Sequence, residues 1–281
     1  MSQINAVQLK SQYEQNGYVI LRDVLDIDLI NEAQAHVDWL LAKNPGRRPE
    51  LLDYDLVTRD AFWVRLVSDE RLLDLAEQFV GPDLGLFASG YIAKRPHDGK
   101  TVPWHQDGSY WPLEPMAVIS FWLAIDRSDE ENGCMKVIPN TQHLTLLPRA
   151  EMIKMTDDNL FPDGMDPDDI DESTAVNVIL NPGDISIHHP NIIHGSQANT
   201  SPRWRRGLTI RYIPTSTRIL EAKPHFSAFI FRGQGHANGN AWNPWPTCVP
   251  ETSMSFAGQA AWDVQCAANN ALYSKFLGKS A

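Results

Sequence analysis

Between Leu84 and Pro214 the chain is a succession of short segments rich in β-branched, aromatic or alternating residues, each bounded by Gly, Pro, Asn or Asp. Six such segments stand out: Leu84 to Lys94, Ala117 to Asp126, Cys134 to Ile138, Ala175 to Leu180, Asp184 to His189 and Arg203 to Pro214. Strands this short and this regularly spaced bury their apolar faces only by closing on one another, which predicts a β-sandwich or jelly roll. The first 82 residues differ. From Asp26 to Ala42 apolar residues recur with a helical period, Glu70 to Phe79 repeats the pattern before Gly81 and Pro82, and Gly17 to Arg22 reads as a strand. The expected architecture is mainly β with flanking helices, one domain over residues 1–281. Helical support lies mainly in 1–82, the jelly-roll core at about 83–215, and an extension in 216–281.

Composition narrows the function classes. A formal charge of −11 without a Lys/Arg run leaves nucleic acid or an anionic membrane little to bind. No window approaches the roughly 20 apolar residues of a membrane span. Three widely separated cysteines, Cys134, Cys248 and Cys266, argue for a reducing compartment. A cytoplasmic enzyme acting on a small molecule is the expectation, with the oligomeric state left open. The acidic stretch Glu151 to Glu172 lacks EF-hand spacing and reads as a solvated loop or lid. The glycines of Gly233 to Pro246 lack the Lys-Ser/Thr of a phosphate loop, so that stretch reads as an ordered loop, and Glu251 to Leu277 as partly helical.

The chemistry concentrates in Pro103-Trp104-His105-Gln106-Asp107-Gly108. In extended chain His105 and Asp107 project to the same side, one imidazole and one carboxylate. A third ligand has to come from far along the chain, and the best candidate is His194, in the segment Asn181 to Ser196. His188 and His189 remain rivals, because a shift of register would recruit either. Two histidines and a carboxylate occupy one face of a metal ion and leave the other open, which suits non-haem Fe(II) rather than a closed structural zinc site. Eleven residues after His194, Arg205 shares a strand face with Gly207, Thr209 and Arg211, while Leu208, Ile210 and Tyr212 face the other way. A guanidinium turned inward among small neighbours is suited to a bidentate grip on a carboxylate.

His105-Gln106-Asp107, Trp122, Asn132-Gly133-Cys134 with the following Val137 to His143, His194-Gly195-Ser196 and Arg205 together resemble the phytanoyl-CoA dioxygenase family of Fe(II)/2-oxoglutarate-dependent oxygenases. The likeness spans about Gly17 to Pro214. It implies a double-stranded β-helix, the cupin-like jelly roll, with iron on His105, Asp107 and His194 and the distal carboxylate of 2-oxoglutarate on Arg205. Ser196 and Trp122 match positions that border the cosubstrate, and Lys94 lies on the strand before the metal loop. The implied reaction consumes O2 and 2-oxoglutarate, releases succinate and CO2, and hydroxylates a C–H bond. Halogenating relatives replace the carboxylate ligand with Ala or Gly, whereas this chain keeps Asp107. The expected substrate is a small metabolite, such as an amine- or phosphonate-bearing compound or a natural-product intermediate. Tyr110, Trp111 and Trp63 are candidates for an apolar pocket, and Arg211 and Arg218 for an anionic group. Two alternatives are a non-catalytic jelly-roll binding protein and a cupin-type metalloenzyme that does not use 2-oxoglutarate. His36, His97, His143, His225 and His236 have no partner spacing and read as surface or structural residues, and His189 as a packing residue.

Overall fold

Alternation along the strands decides which residues meet. The computed structural model describes residues 6–221, 228–236 and 239–276. In chain order the elements are α1 (Ala6–Asn16), β1 (Tyr18–Leu21), α2 (Ile27–Lys43), α3 (Tyr54–Val57), α4 (Ala61–Val67), α5 (Glu70–Val80), β2 (Leu84–Tyr91), β3 (Val102–His105), β4 (Leu113–Glu114), β5 (Ile119–Ala124), β6 (Met135–Val137), β7 (Ile153–Lys154), β8 (Asp163–Gly164), β9 (Val176–Asn177), β10 (Ile185–His188), β11 (His194–Ser196), β12 (Gly207–Pro214), β13 (Arg218–Ile219), β14 (Phe229–Arg232) and α6 (Gln259–Phe276).

Two antiparallel sheets form the jelly roll, six strands in the order β1-β10-β5-β12-β2-β14 and four in the order β3-β11-β6-β9. Each face of the larger sheet has its own job. Phe121 and Leu123 of β5, Ile185 and Ile187 of β10, and Leu208, Ile210 and Tyr212 of β12 enter the main core with α2, α4 and α5. Their neighbours in sequence, among them Ser120, Trp122, Ser186, His188, Thr209 and Arg211, point the other way, toward the smaller sheet. Trp122 and Ala124 there pack with Met135 and Val137 of β6. Each fully buried Leu, Ile or Phe contributes about 1.5–3 kcal/mol at most, so the helix-facing side is where this sheet gets its stability.

Three helices are capped by an aspartate side chain. Asp26 accepts from Leu29 N at 3.0 Å, Asp60 from Trp63 N at 2.9 Å and Asp69 from Arg71 N at 3.0 Å, each cap contributing about 1 kcal/mol. The buried imidazole of His36 joins Asp60 Oδ2 (2.8 Å) to the Tyr91 hydroxyl (2.7 Å), tying α2 to the start of α4 and to β2. Trp63 belongs to this core rather than to a substrate pocket. It is fully buried on α4, and its Nε1 donates to Ser89 Oγ at 3.0 Å. At the turn into β10, Gly183 has φ +87°, and a Cβ there would meet Leu25 O at 2.4 Å.

The predicted strands are present but shorter. Only Val176–Asn177 of the 175–180 segment pairs as a strand, and β12 starts at Gly207, with Arg205 forming an isolated bridge to Lys94. Helices α1 and α4 escape periodicity: α1 buries only Leu9, and the seven residues of α4 are apolar on almost every side. Both flanks supply strands to the large sheet, β1 before the 83–215 segment and β14 after it. His225 lies outside the described residues.

His189 packs near Tyr13 of α1, ring centroids 5.9 Å apart, and its Nδ1 accepts from Asn191 N. Burial, then the neighbouring His143 and His188, pushes its pKa down to about 4. As pH falls through about 6.5 the unfolded chain takes up a proton that folded His189 refuses until about 4, so stability declines with falling pH across that window. Urea midpoints measured from pH 7 to 4.5 are expected to fall, and His189→Gln to lose up to one proton of that dependence; an unaltered slope in the variant contradicts the assignment.

Candidate metal centre

His105 closes β3 and His194 opens β11, and the two residues are register partners across the small sheet. The local fold orients both rings alike. His105 Nδ1 lies 2.8 Å from Pro103 O and His194 Nδ1 lies 3.0 Å from Ile192 O, so in each ring Nδ1 carries the proton and donates to the carbonyl two residues earlier. That leaves both Nε2 lone pairs directed into the space between the sheets. Asp107, in the turn after β3, brings Oδ1 to 3.5 Å from His105 Nε2 and 4.0 Å from His194 Nε2. The three donor atoms lie within 4.8 Å of one another and all three residues are buried. Two neutral imidazoles and one carboxylate fit a divalent transition-metal ion, after a contraction of a few tenths of an ångström toward bonds of about 2.1 Å.

Protonation supports that fit. Burial, then the neighbouring His105 ring, holds His194 well below the ordinary imidazole range. Burial works to raise the Asp107 carboxyl, but Arg211 and then His105 and His188 outweigh it and keep it ionised well below the ordinary carboxylate range.

The second oxygen of Asp107 faces the large sheet. Ser120 Oγ donates to Oδ2 at 3.5 Å, with His188 Nε2 at 3.5 Å and Arg211 Nη2 at 3.6 Å. These three are register partners on adjacent strands, His188 opposite Ser120 and Ser120 opposite Arg211. His188 therefore touches the far side of the carboxylate and is not in the three-donor group, while His189 lies against α1.

Arg205 is 2% exposed. Its guanidinium stacks on the Trp122 ring at 4.9 Å, and Nη1 donates to Ile92 O at 3.3 Å. Nε and Nη2 have no partner, nor does Trp122 Nε1. Among the described residues no carboxylate pairs with Arg205, and burial lowers its pKa to about 10. A buried cation with idle donors is costly unless an anion joins it. The cradle thus fits the remote carboxylate of a keto acid, beside donors that fit iron. Lys94 stands behind Ser196: Nζ donates to Ser196 Oγ at 2.8 Å and to Gln197 O, and it does not line the cavity. Burial, then Arg205, holds this amine well below the usual lysine range. His105, Asp107, His194, Ser196, Trp122 and Arg205 all line one inner pocket.

A second cavity of about 360 Å³ opens outward, lined by Phe87, Tyr110, Trp111 and Arg149 and sharing Asp107, Phe161 and Arg211 with the inner pocket. Phe161 comes from the acidic insert, and its ring meets His105 edge-on at 5.1 Å. The insert is docked rather than loose. Leu160 N bonds Thr101 O (2.7 Å), Met165 N bonds Trp104 O (2.9 Å), Trp104 Nε1 donates to Glu172 Oε1 (2.8 Å), and Tyr110 OH donates to Asp163 O (2.9 Å). Arg218 lies elsewhere, half-exposed and paired with Glu114 at 2.8 Å. Sequence reasoning missed Ser120 and Phe161. Ser120 shares a strand face with Trp122 and was open to the alternation argument, but nothing in the acidic insert singles out Phe161.

The family model described as "Phytanoyl-CoA dioxygenase (PhyH)" matches residues 13–207. The chain is 33% identical over 228 residues to a "Probable phytanoyl-CoA dioxygenase" of Caenorhabditis elegans, covering 71% of this chain and 72% of that protein. It is 26% identical over 232 residues to the peroxisomal phytanoyl-CoA dioxygenase of Mus musculus, with coverage of 74% and 68%. In fold it is similar to the apo form of the non-heme monooxygenase ThoJ, with TM-score 0.72 and 20% identity over 93% of this chain and 95% of that one.

Gly207 lies beneath Trp122, where a Cβ would come within 2.2 Å of the indole. Gly207→Ala is expected to displace the indole from Arg205 and weaken 2-oxoglutarate binding about tenfold with the far-ultraviolet circular dichroism spectrum retained. Wild-type affinity by calorimetry in that variant counts against a role for the stack.

Proposed function

The chain belongs to the phytanoyl-CoA dioxygenase (PhyH) family, and on that premise we propose that it hydroxylates a C–H bond of a small metabolite, with Fe(II) and 2-oxoglutarate and with release of succinate and CO2. The observation that carries this reading is the buried guanidinium of Arg205, with two idle donor nitrogens, in the same pocket as His105, Asp107 and His194.

In this reading His105 and His194 hold iron through Nε2 and Asp107 through Oδ1. Arg205 grips the remote carboxylate of 2-oxoglutarate, with Trp122 stacked beneath the guanidinium and Ser196 at the pocket wall. Lys94 positions Ser196 from behind. When bound, iron and 2-oxoglutarate couple decarboxylation of the keto acid to insertion of oxygen from O2 into the substrate. The protein supplies position and a dry site. The carbonyl oxygens of Pro103 and Ile192 fix the tautomers, the row His188, Ser120 and Arg211 fixes the carboxylate, and Phe161 covers His105 and keeps water from that side.

The aromatic outer cavity supports a small-molecule substrate. No helix of the described residues is long and apolar enough to cross a membrane. The three cysteines are unpaired, which supports a reducing, cytoplasmic setting.

Anaerobic addition of Fe(II) and 2-oxoglutarate is expected to give a weak visible charge-transfer band, and a metabolite screen to find succinate release. Asp107→Ala abolishes both metal retention and turnover. Arg205→Ala raises the KM for 2-oxoglutarate about a hundredfold or more, from the loss of two charged hydrogen bonds. Unchanged turnover in the Arg205 variant eliminates the cosubstrate assignment.

A further inference from the structure

Arg211 is the one residue of the Asp107 row that also faces the outer cavity. Nη1 donates to Thr209 Oγ1 at 2.8 Å, the guanidinium lies 5.1 Å from the Trp111 ring centroid, and Nε has no partner. Among the described residues its only ion pair is with Asp107, at 3.6 Å. Given the iron and 2-oxoglutarate reading above, on which this inference rests, the charge of that carboxylate is shared with iron through Oδ1. The charges converging on the inner pocket are then +2 from iron, −1 from Asp107, −2 from 2-oxoglutarate and +1 from Arg205, which cancel. Arg211, its side chain 16% exposed at the boundary between the pockets, is left only partly compensated; Glu221 is the acidic residue that also lines the outer cavity. A cation so placed favours an anionic guest on its open side.

The geometry points to a substrate with one carboxylate seated on Arg211 and an apolar body lying against Trp111, Phe87 and Phe161. Trp111 is edge-on to Phe87 at 5.9 Å, so the two rings form a continuous apolar wall beside the guanidinium. Arg149, stacked on Tyr110 at 5.5 Å and drawn toward Asp163, adds positive potential at the mouth without closing on the site. Arg211 and Asp107 share the partition between the two pockets, so the carboxylate anchors close to the metal. The carbon that is oxidised therefore lies near the carboxylate end of the substrate rather than at the far end of its apolar body.

The test uses 3-phenylpropanoate, 4-methylpentanoate and their primary amides, titrated anaerobically by calorimetry into protein loaded with Fe(II) and 2-oxoglutarate and, separately, into metal-free protein. The acids are expected to bind the loaded protein and to perturb its charge-transfer band, and the amides to bind at least about tenfold more weakly. Arg211→Met removes the preference for acids and Arg211→Lys keeps part of it. Trp111→Leu weakens the phenyl acid more than the branched one, an independent check should the methionine variant fail to fold. The inference is overturned if amides match acids, if Arg211→Met binds acids as the wild type does, if no acid binds, or if the acids displace 2-oxoglutarate, which would give Arg211 to the cosubstrate. In metal-free protein, where Arg211 has Asp107 to itself, the acids are expected to bind more weakly than in loaded protein; a missing charge-transfer band in the wild type brings down the iron and 2-oxoglutarate reading, whereas amides that match acids in protein showing the band bring down this inference alone.

Discussion

The two oxygens of Asp107 hold the site together because each is claimed by a different sheet. Oδ1 faces the imidazoles of the small sheet, and Oδ2 faces His188, Ser120 and Arg211, one row across three strands of the large sheet. A metal carboxylate free to rotate can chelate with both oxygens and consume an open coordination position. Donors crowded around Oδ2 oppose that rotation and would leave Oδ1 to the metal ion that His105 and His194 would hold with it. The row exists because the strand period is two: Phe121, Ile187 and Tyr212 are committed to the helix-packed core, so their neighbours in sequence must face the other sheet. A one-residue slip of β5 would put Phe121 into the pocket and Trp122 into the core. The helices that bear no chemistry therefore set the register on which the chemistry depends.

Electrostatics divides the cavity into regions of different sign. Lys94 and Arg205 are both buried, and the proximity of Arg205 adds to burial in lowering the lysine's pKa. The amine is nevertheless satisfied by oxygens of Ser196 and Gln197, while the guanidinium keeps two idle nitrogens. Of two adjacent basic groups, only one is left to attract an anion. The Lys94 contacts hold the strand end that carries Ser196, two positions from the start of β11 at His194, so the basic pair links cosubstrate pocket and metal site through one short strand.

What was legible in the sequence follows the range of each signal. Alternation and turn residues marked the strands, and the spacing of His105 and Asp107 suggested a shared side, because both effects act within a few residues. The Gly-Ser after His194, with Asn199 and the eleven-residue step to Arg205, favours it over His188 and His189, but its position against His105 is a long-range matter: the pairing of β11 with β3 sets the two together while β10 carries His188 to the far side of the carboxylate. Trp63 was misjudged as a pocket candidate for the same reason. An aromatic residue on a short apolar helix gives no sign of which side meets the sheet, and Ser89 and Tyr91, which receive it, are strand residues 26 and 28 positions away.

The outer cavity owes less to the sheets and more to the connections between them. Phe161 and Arg149 come from the long crossing between β6 and β9, and Tyr110 and Trp111 from the turn after β3, whereas Arg205, Trp122 and the histidines stand on or beside strands. Backbone pairing restrains the strand residues, and a change in one disturbs its cross-strand partners. The connecting segments answer mainly to their own anchors, such as Trp104 on Glu172 and Tyr110 on the carbonyl of Asp163. Substitutions at Phe161 or Arg149 can reshape the outer cavity without moving His105, Asp107 or His194, so a lineage can change substrate there while keeping iron chemistry intact. Arg211 is the exception. It belongs to a strand, to the Asp107 row and to the outer wall at once, so a change of substrate charge at that position also alters the support of the metal's carboxylate.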